Sequence, residues 1–234
     1  MQLFYCPDIL EGDTSLNAEE SKHCVKVLRK KKGDHINVTD GSGHFFECFL
    51  DEINIKKCTF HVAQERTVEL PGFSIHIAIS PTKSLDRIEW FVEKAVEIGI
   101  EKISFIQSGF SERKHLNLDR LNKKAISAMK QSGRATLPQI NGMTKLSSFV
   151  NSCEAEQKFV AHLDDTQTKH LISLAKPKKS YLVVIGPEGG FSSQEINLLQ
   201  EKNFRKVKIG DYRLRTETAG ITVCTTLNNI NHFI

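Results

Sequence analysis

The sequence predicts an α/β protein: a mostly parallel sheet with helices on both faces, preceded by a small strand-rich module. Three observations carry this. From Ser74 onward, short apolar runs alternate with segments of helical period, the signature of βα units. Tyr181–Glu195, YLVVIGPEGGFSSQE, joins a β-branched run to a glycine turn and then to a capped helix. Before residue 70, short strands follow one another closely with a single helix among them, which suggests a small β-barrel.

The first module, residues 1–70, opens with an edge strand at Leu3–Tyr5. Asn17 and Glu20 start a short helix carrying His23, Val27 and Leu28, followed by the basic run Arg29-Lys30-Lys31-Lys32. That run fits a solvated face, and it equally fits phosphate contacts at a barrel rim. Ile36–Thr39 and His44–Leu50 flank Asp40-Gly41-Ser42-Gly43, a hairpin signal, and Ile53–Ile55 and Thr59–Ala63 continue the meander.

Glu69-Leu70-Pro71-Gly72 marks the boundary with a second domain, residues 72–234. Ser74–Ile79 is its first strand. Ser84 is placed to cap a helix with apolar residues at Ile88, Phe91, Val92 and Ala95, ended by Gly99. Lys102–Ile106 is the second strand, and residues 118–131 form a basic helix stopped by Gly133. Lys158–His162, Tyr181–Ile185 and Lys206–Ile209 are further strands, and a helix from about Glu217 to Asn228 closes the pattern.

Composition excludes several classes. No apolar run reaches the ~20 residues of a membrane span, and the N-terminus lacks the basic and apolar regions of a signal peptide. The six cysteines are scattered without a C-x-x-C pair, which suits buried thiols in a reduced, cytoplasmic protein better than a zinc site. The net charge of +4 is unevenly spread. Residues 1–70 carry nine Lys and Arg against twelve Asp and Glu, and residues 71–234 carry twenty-three against sixteen. The excess base therefore lies in the second domain and points to a polyanionic partner.

Most strands of that domain lead into polar clusters, and five such loops on one sheet edge would form a single cleft. They contain Pro81, Lys83, Asp86 and Arg87; Ser108, Ser111, Glu112, Arg113 and Lys114; His162 and Asp164; the Gly186–Gly190 turn; and Gly210 through Ala219. The glycine turn lacks the Lys-Ser/Thr of a nucleoside triphosphate loop and the spacing of a dinucleotide site. Thr216 or Thr218 is placed to cap the last helix, and Glu217 suits its positive end. Arg213 and Arg215 exceed what capping needs, so an anion or RNA contact, or stabilisation of a developing oxyanion, is the better reading.

Gly186-Pro187-Glu188-Gly189-Gly190-Phe191-Ser192 with Glu195, followed by Leu214-Arg215-Thr216-Glu217-Thr218-Ala219, resembles the bacterial 16S ribosomal RNA uridine-N3 methyltransferases, the RsmE family. His23 with Val27-Leu28-Arg29, Lys83 and Arg87 with Lys94, Glu97-Ile98-Gly99, Ser111-Glu112-Arg113, and Gln131-Ser132-Gly133-Arg134 with Pro138 extend the likeness along the chain. The resemblance implies an N-terminal PUA-like β-barrel and a C-terminal SPOUT domain with a trefoil knot. It also implies a homodimer and methylation of N3 of one uridine in 16S rRNA, free or in the assembled small subunit, without a metal or a membrane.

S-adenosyl-L-methionine would then lie against His162, Leu163, Ile185, Gly186, Pro187, Glu188, Gly189, Gly190, Ile209, Gly210, Leu214, Arg215 and Thr216. Arg215, Glu217 and Arg113, the last from a partner subunit, take the catalytic roles by the same likeness, with Glu217 or Glu112 as proton acceptor. RNA contacts fall to His23, Arg29, Lys83, Arg87, Arg113, Arg134 and Arg213. Tyr212 and Arg213 depart from the pattern, standing where the family commonly has an arginine followed by an aliphatic residue.

Overall fold

A computed structural model describes residues 2–163 and 168–233. The chain divides into two compact units, residues 1–70 with 126–137 and residues 71–125 with 138–234.

The first unit contains β1 (Leu3–Tyr5), α1 (Ala18–Lys22), β2 (His35–Thr39), β3 (His44–Glu52) and β4 (Thr59–Thr67), in a sheet of order β1-β2-β3-β4. β1 runs parallel to β2, and the other pairs are antiparallel. Asn17 caps α1 by accepting the N–H groups of Glu19 and Glu20, and the helix then widens into a π-helical turn, His23–Val27. Phe4, Leu16, Cys24, Val38, Phe46, Leu50 and Phe60 form the core. The N–H of Leu16 donates to Cys58 O, and that of Phe60 to Thr14 O. The N-terminal segment thus pairs with β2 at one sheet edge and with β4 at the other, as barrel closure requires.

In the β2–β3 turn the Asp40 carboxylate accepts the N–H groups of Ser42 and His44 and the ring N–H of His44. Burial alone would raise its pKa, but the bonds from Ser42 and His44 hold it below the usual carboxylate range. Lys130, from the 126–137 stretch, pairs with the buried Glu20. Cys6, Cys24, Cys48, Cys58 and Cys224 are buried. Burial pushes the thiols of Cys24 and Cys48 up to about 12, so both stay protonated.

The second unit continues with β5 (Ser74–Ile79), α2 (Leu85–Ile98), β6 (Lys102–Gln107), α3 (Leu118–Ser132), β7 (Gln139–Lys145), α4 (Leu146–Ser152), β8 (Gln157–Ala161), α5 (Leu171–Leu174), β9 (Ser180–Ile185), α6 (Ser193–Glu201), β10 (Arg205–Val207) and α7 (Thr216–Phe233). α3 begins in this unit, and its second half is grouped with the first. The sheet order is β10-β8-β9-β5-β6-β7, and every ladder is parallel. Ala78, Ile106, Val160, Leu182 and Val184 pack with Leu146, Phe149 and Val150 of α4 and with Ile196 and Leu199 of α6. α7 lies against α2, β5 and β9.

Four local features differ from the sequence reading. Ile53–Ile55 forms no strand, because Asn54 accepts the N–H groups of Lys56 and Lys57 in a turn between β3 and β4. β7 and α4 were not anticipated, because β7 carries Gly142 and mostly polar residues and shows no apolar alternation. Ser84 occupies the N-cap of α2 without a side-chain cap bond, and its carbonyl instead accepts the hydroxyl of Thr82 at 2.8 Å. α7 starts at Thr216 and extends to Phe233 rather than stopping near Asn228.

Two packing details yield measurable consequences. A Cβ placed on Gly220 of α7 would lie 2.4 Å from the Phe91 ring of α2, a close approach that only glycine allows. Gly220→Ala should therefore cost about 1–3 kcal/mol in urea denaturation. The second detail concerns His76. Ser104 Oγ accepts a hydrogen from Asn141 Nδ2 at 2.9 Å and so offers its own hydrogen to His76 Nε2 at 2.8 Å, which fits a neutral imidazole. Burial, assisted by the charge of Lys102, pushes His76 down from 6.5 to about 4. The unfolded chain binds this proton at higher pH than the native one. Stability should thus be full above about pH 6.5 and should fall by roughly 2–3 kcal/mol as the pH drops to 4. Thermal melts of His76→Gln should lack that part of the slope.

Candidate functional site

At the carboxyl ends of β8, β9 and β10 lies a cavity of about 630 Å³, within the range of small-molecule sites. It is built from three chain segments. Beyond β8 come His162 and Leu163. Ile185 ends β9 and leads into Gly186, Pro187, Glu188, Gly189 and Gly190. Beyond β10 come Ile209, Gly210, Leu214, Arg215 and Thr216. Ala161, Phe191, Val207, Lys208, Tyr212, Arg213 and Ala219 complete the lining. Of these only Arg213 is singled out for a binding role in the sequence: Phe191, Tyr212 and Ala219 stand in or beside the motifs without a role assigned to them, and Ala161, Val207 and Lys208 belong to no motif.

The glycines have specific reasons. A Cβ at Gly186 would stand 2.9 Å from the Phe191 ring, and one at Gly189 would stand 3.1 Å from Cβ of Phe110. Gly190 sits at φ +75°, closing a turn in which its N–H donates to Pro187 O at 2.8 Å. The opposite wall is fastened to this turn. The Thr216 hydroxyl donates to Gly186 O at 3.1 Å, so it ties α7 to the turn instead of capping the helix. The Arg213 guanidinium donates to Glu188 O. Between the β8 and β10 segments, the N–H of His162 donates to Val207 O at 3.1 Å. Arg215 is exposed at the cavity wall, with Tyr212 and Leu163 exposed beside it.

Glu195 joins the glycine turn to the next loop of the sheet edge. Its Oε2 accepts the N–H and hydroxyl of Ser192 at 2.9 and 3.0 Å, completing the capping box of α6. Its Oε1 accepts the N–H of Gly109 at 2.8 Å, in the loop after β6. In that loop, Ser108 and Ser111 bond to each other, and Ser111 lies 3.5 Å from Ser80 at the end of β5.

Arg113 and Glu217 stand outside the cavity lining. The Arg113 guanidinium donates to the carbonyls of Thr82, at 3.2 Å from Nε, and of Lys83. Lys83 pairs with Glu112 at 3.5 Å, both exposed. Glu217 is buried, and its Oε1 lies 3.6 Å from Nε of Arg87, whereas Oε2 has no hydrogen-bond partner among the described residues. In the first unit, His23 lies in the π-helical turn with Nε2 at 3.1 Å from Gln2 Nε2. Arg29 is exposed at φ +53°, and Arg134 donates to Thr136 Oγ1 at 3.3 Å. Asp164 lies outside the described residues.

Comparison with known proteins gives this arrangement a context. Residues 68–228 match the RNA methyltransferase domain family, and residues 16–62 match the RNA methyltransferase PUA domain. The ribosomal RNA small subunit methyltransferase E of Aquifex aeolicus is 30% identical over 242 residues, covering 98% of this chain and 100% of its own. A crystal structure of a probable rRNA-methyltransferase from Porphyromonas gingivalis is 36% identical with a TM-score of 0.93, covering 99% of this chain and 98% of that one. The ribosomal RNA small subunit methyltransferase E of Neisseria gonorrhoeae, solved bound to S-adenosyl methionine, is 25% identical with a TM-score of 0.88 over 99% of this chain and 98% of that one.

The doubly engaged carboxylate of Glu195 yields a test within this site. Glu195→Ala removes the cap and the anchor of Gly109 together and should lower stability by about 1–2 kcal/mol. Amide hydrogen exchange at Gly109 and Ser192 should accelerate in the variant, while exchange in β9 should change only by the global loss.

Proposed function

The chain belongs to the ribosomal RNA small subunit methyltransferase E family, whose members join an RNA methyltransferase domain to a PUA domain, and we propose that it methylates N3 of one uridine in 16S rRNA with S-adenosyl-L-methionine. The observation that carries this reading is the cavity itself, where three segments meet around a glycine turn with Arg215 on its wall. The cavity suits that cofactor. Its volume is sufficient, Leu163, Ile185, Ile209 and Leu214 offer apolar surface to an adenine ring, and the turn leaves no room for a Cβ at Gly186. Once bound, S-adenosylmethionine supplies an electrophilic methyl group on a sulfonium.

The chain's own residues prepare the acceptor. Uracil N3 carries a proton at neutral pH and attacks only as the anion, with charge spread over N3, O2 and O4. The Arg215 guanidinium, on the cavity wall, stabilises that charge as it forms. Glu217 takes the proton. A buried carboxylate oxygen left without a partner is costly, and such costs concentrate where a substrate donor completes the bond. Arg87 engages the other oxygen, Oε1, at 3.6 Å and so orients the carboxylate. Arg113, fixed on the carbonyls of Thr82 and Lys83, positions the 108–113 loop, and its role in substrate contact rests on a second subunit. The active form is a homodimer in the cytoplasm, in which a partner covers the exposed Tyr212 and Phe110. Lys83, Arg87, Arg213, Arg29 and Arg134 supply charge to the RNA backbone, and His23 contacts it.

Mass mapping of ribosomal RNA from a strain lacking the gene tests the assignment. One methyluridine should disappear from small-subunit RNA, and its persistence would exclude the reaction. In the purified enzyme, Arg215→Ala and Glu217→Gln should each lower kcat at least about 100-fold while cofactor affinity by calorimetry changes less than about threefold. Equal loss of both for Arg215→Ala would move that residue from catalysis to cofactor binding.

A further inference from the structure

The outward face of the first unit's sheet carries three rings in direct cross-strand register. His35 of β2 opposes Phe49 of β3, and Phe49 opposes His61 of β4. The rings of Phe49 and His61 lie at 28° with centroids 5.9 Å apart, while the His35 ring stands at 69° to Phe49 at 5.6 Å. Together they form an aromatic ledge in which Phe49 stacks against His61 and meets His35 at an edge. The flanking residues of β3, Cys48 and Leu50, point into the core, whereas Phe49 is 37% exposed and lies outside it. On the same strand Phe45 is covered by the Arg66 guanidinium, 5.1 Å from its ring centroid. Phe49 carries no such cation among the described residues, its ring neighbours being His35 and His61.

The charges around the ledge are arranged asymmetrically. Lys30 Nζ donates to the carbonyl of His35 at 2.9 Å, which brings the basic run to the His35 end, and Lys31 and Lys32 are exposed beside it. Asp34 is engaged in accepting the N–H of Lys31 at 2.8 Å. Asp51 lies 2.7 Å from Nδ1 of His61 and fixes that ring. Glu47, exposed two residues from Phe49 on β3, keeps phosphates away from that side.

We infer that Phe49 and His61 form a stacking platform for one unpaired base of an RNA strand, with His35 against the base edge and the flanking phosphates on Lys30, Lys31 and Lys32. A neutral, flat and polar-edged group matches the ledge, and a polyanionic backbone matches the lysines at one end only. An unpaired nucleotide combines both, whereas the bases of a duplex are stacked on each other and present no free face. The inference rests on the reading that the substrate is ribosomal RNA. It adds a contact surface on the barrel sheet, apart from the residues already assigned to the RNA.

The test uses the full-length protein and a single-stranded RNA of about ten nucleotides carrying one 2-aminopurine, with a fully paired RNA of equal length as control. Phe49→Leu keeps apolar bulk and removes the aromatic face. It and His61→Ala should weaken single-strand binding about 5- to 100-fold and leave duplex binding unchanged, and Phe49→Trp should restore it. Replacing Lys31 and Lys32 with Ala should reduce the salt dependence of binding. In methylation of small subunits from the deletion strain, Phe49→Leu should raise KM for RNA with kcat unchanged. Wild-type affinity and KM in Phe49→Leu would overturn the platform while leaving the methylation reading intact. Failure of the wild-type protein to methylate would strike that reading instead. A Phe49→Leu variant with altered sedimentation and unaltered RNA affinity would identify the face as a contact between protein chains and would also overturn the platform.

Discussion

A carboxylate offers two oxygens and room for about four hydrogens, and Glu195 spends that capacity on two pieces of chain that the sequence keeps far apart. One oxygen closes the start of α6 and so fixes how the glycine turn leaves β9. The other holds Gly109 after β6. The turn is then pinned from its far side by Thr216 and Arg213, which reach the carbonyls of Gly186 and Glu188. Neither wall of the cavity is rigid alone. A glycine-rich turn has broad conformational freedom, and hydrogen bonds from three directions reduce it to one shape.

Much of this is legible in the sequence. The central strands are near-continuous apolar runs because both faces of a parallel sheet are covered, and the capping box of Ser192 and Glu195 is local in sequence. Cavity residues that belong to a motif were equally visible. What escaped was nonlocal or patternless. β7 pairs along only one edge and tolerates polar residues, so its sequence carries no strand signal. Thr216 looks like a helix cap, and only the position of Gly186 shows what its hydroxyl does. The destinations of Arg113 and Glu217 depend on where Thr82 and Arg87 arrive in space. The knot implied by the resemblance is a matter of threading, which no local period encodes.

Charge is handled differently in the two units. In the first, Asp40 is answered by Ser42 and His44, and Glu20 by Lys130 at one oxygen while its other oxygen has no partner among the described residues; both acids serve turn geometry and packing. In the second, the acids at the sheet edge either bridge backbone segments, as Glu195 does, or retain unspent capacity, as Glu217 does. A buried carboxylate oxygen without a partner thus occurs in both units.

The strand order carries a consequence for how the molecule is made. Ser74 at the start of β5 lies beside Ser180 at the start of β9, so the middle of the sheet joins strands separated by most of the second unit. Such a topology has high contact order and lies toward the slow end of folding. During synthesis β5, β6 and β7 leave the ribosome before β9, which covers the other edge of β5, and α7, which fastens the glycine turn, follows β9 and β10. The cavity can therefore assemble only after β8, β9, β10 and the start of α7 have all left the ribosome. Until β9 emerges, β5 presents an unpaired apolar edge on the side away from β6, a hazard for aggregation of the nascent chain.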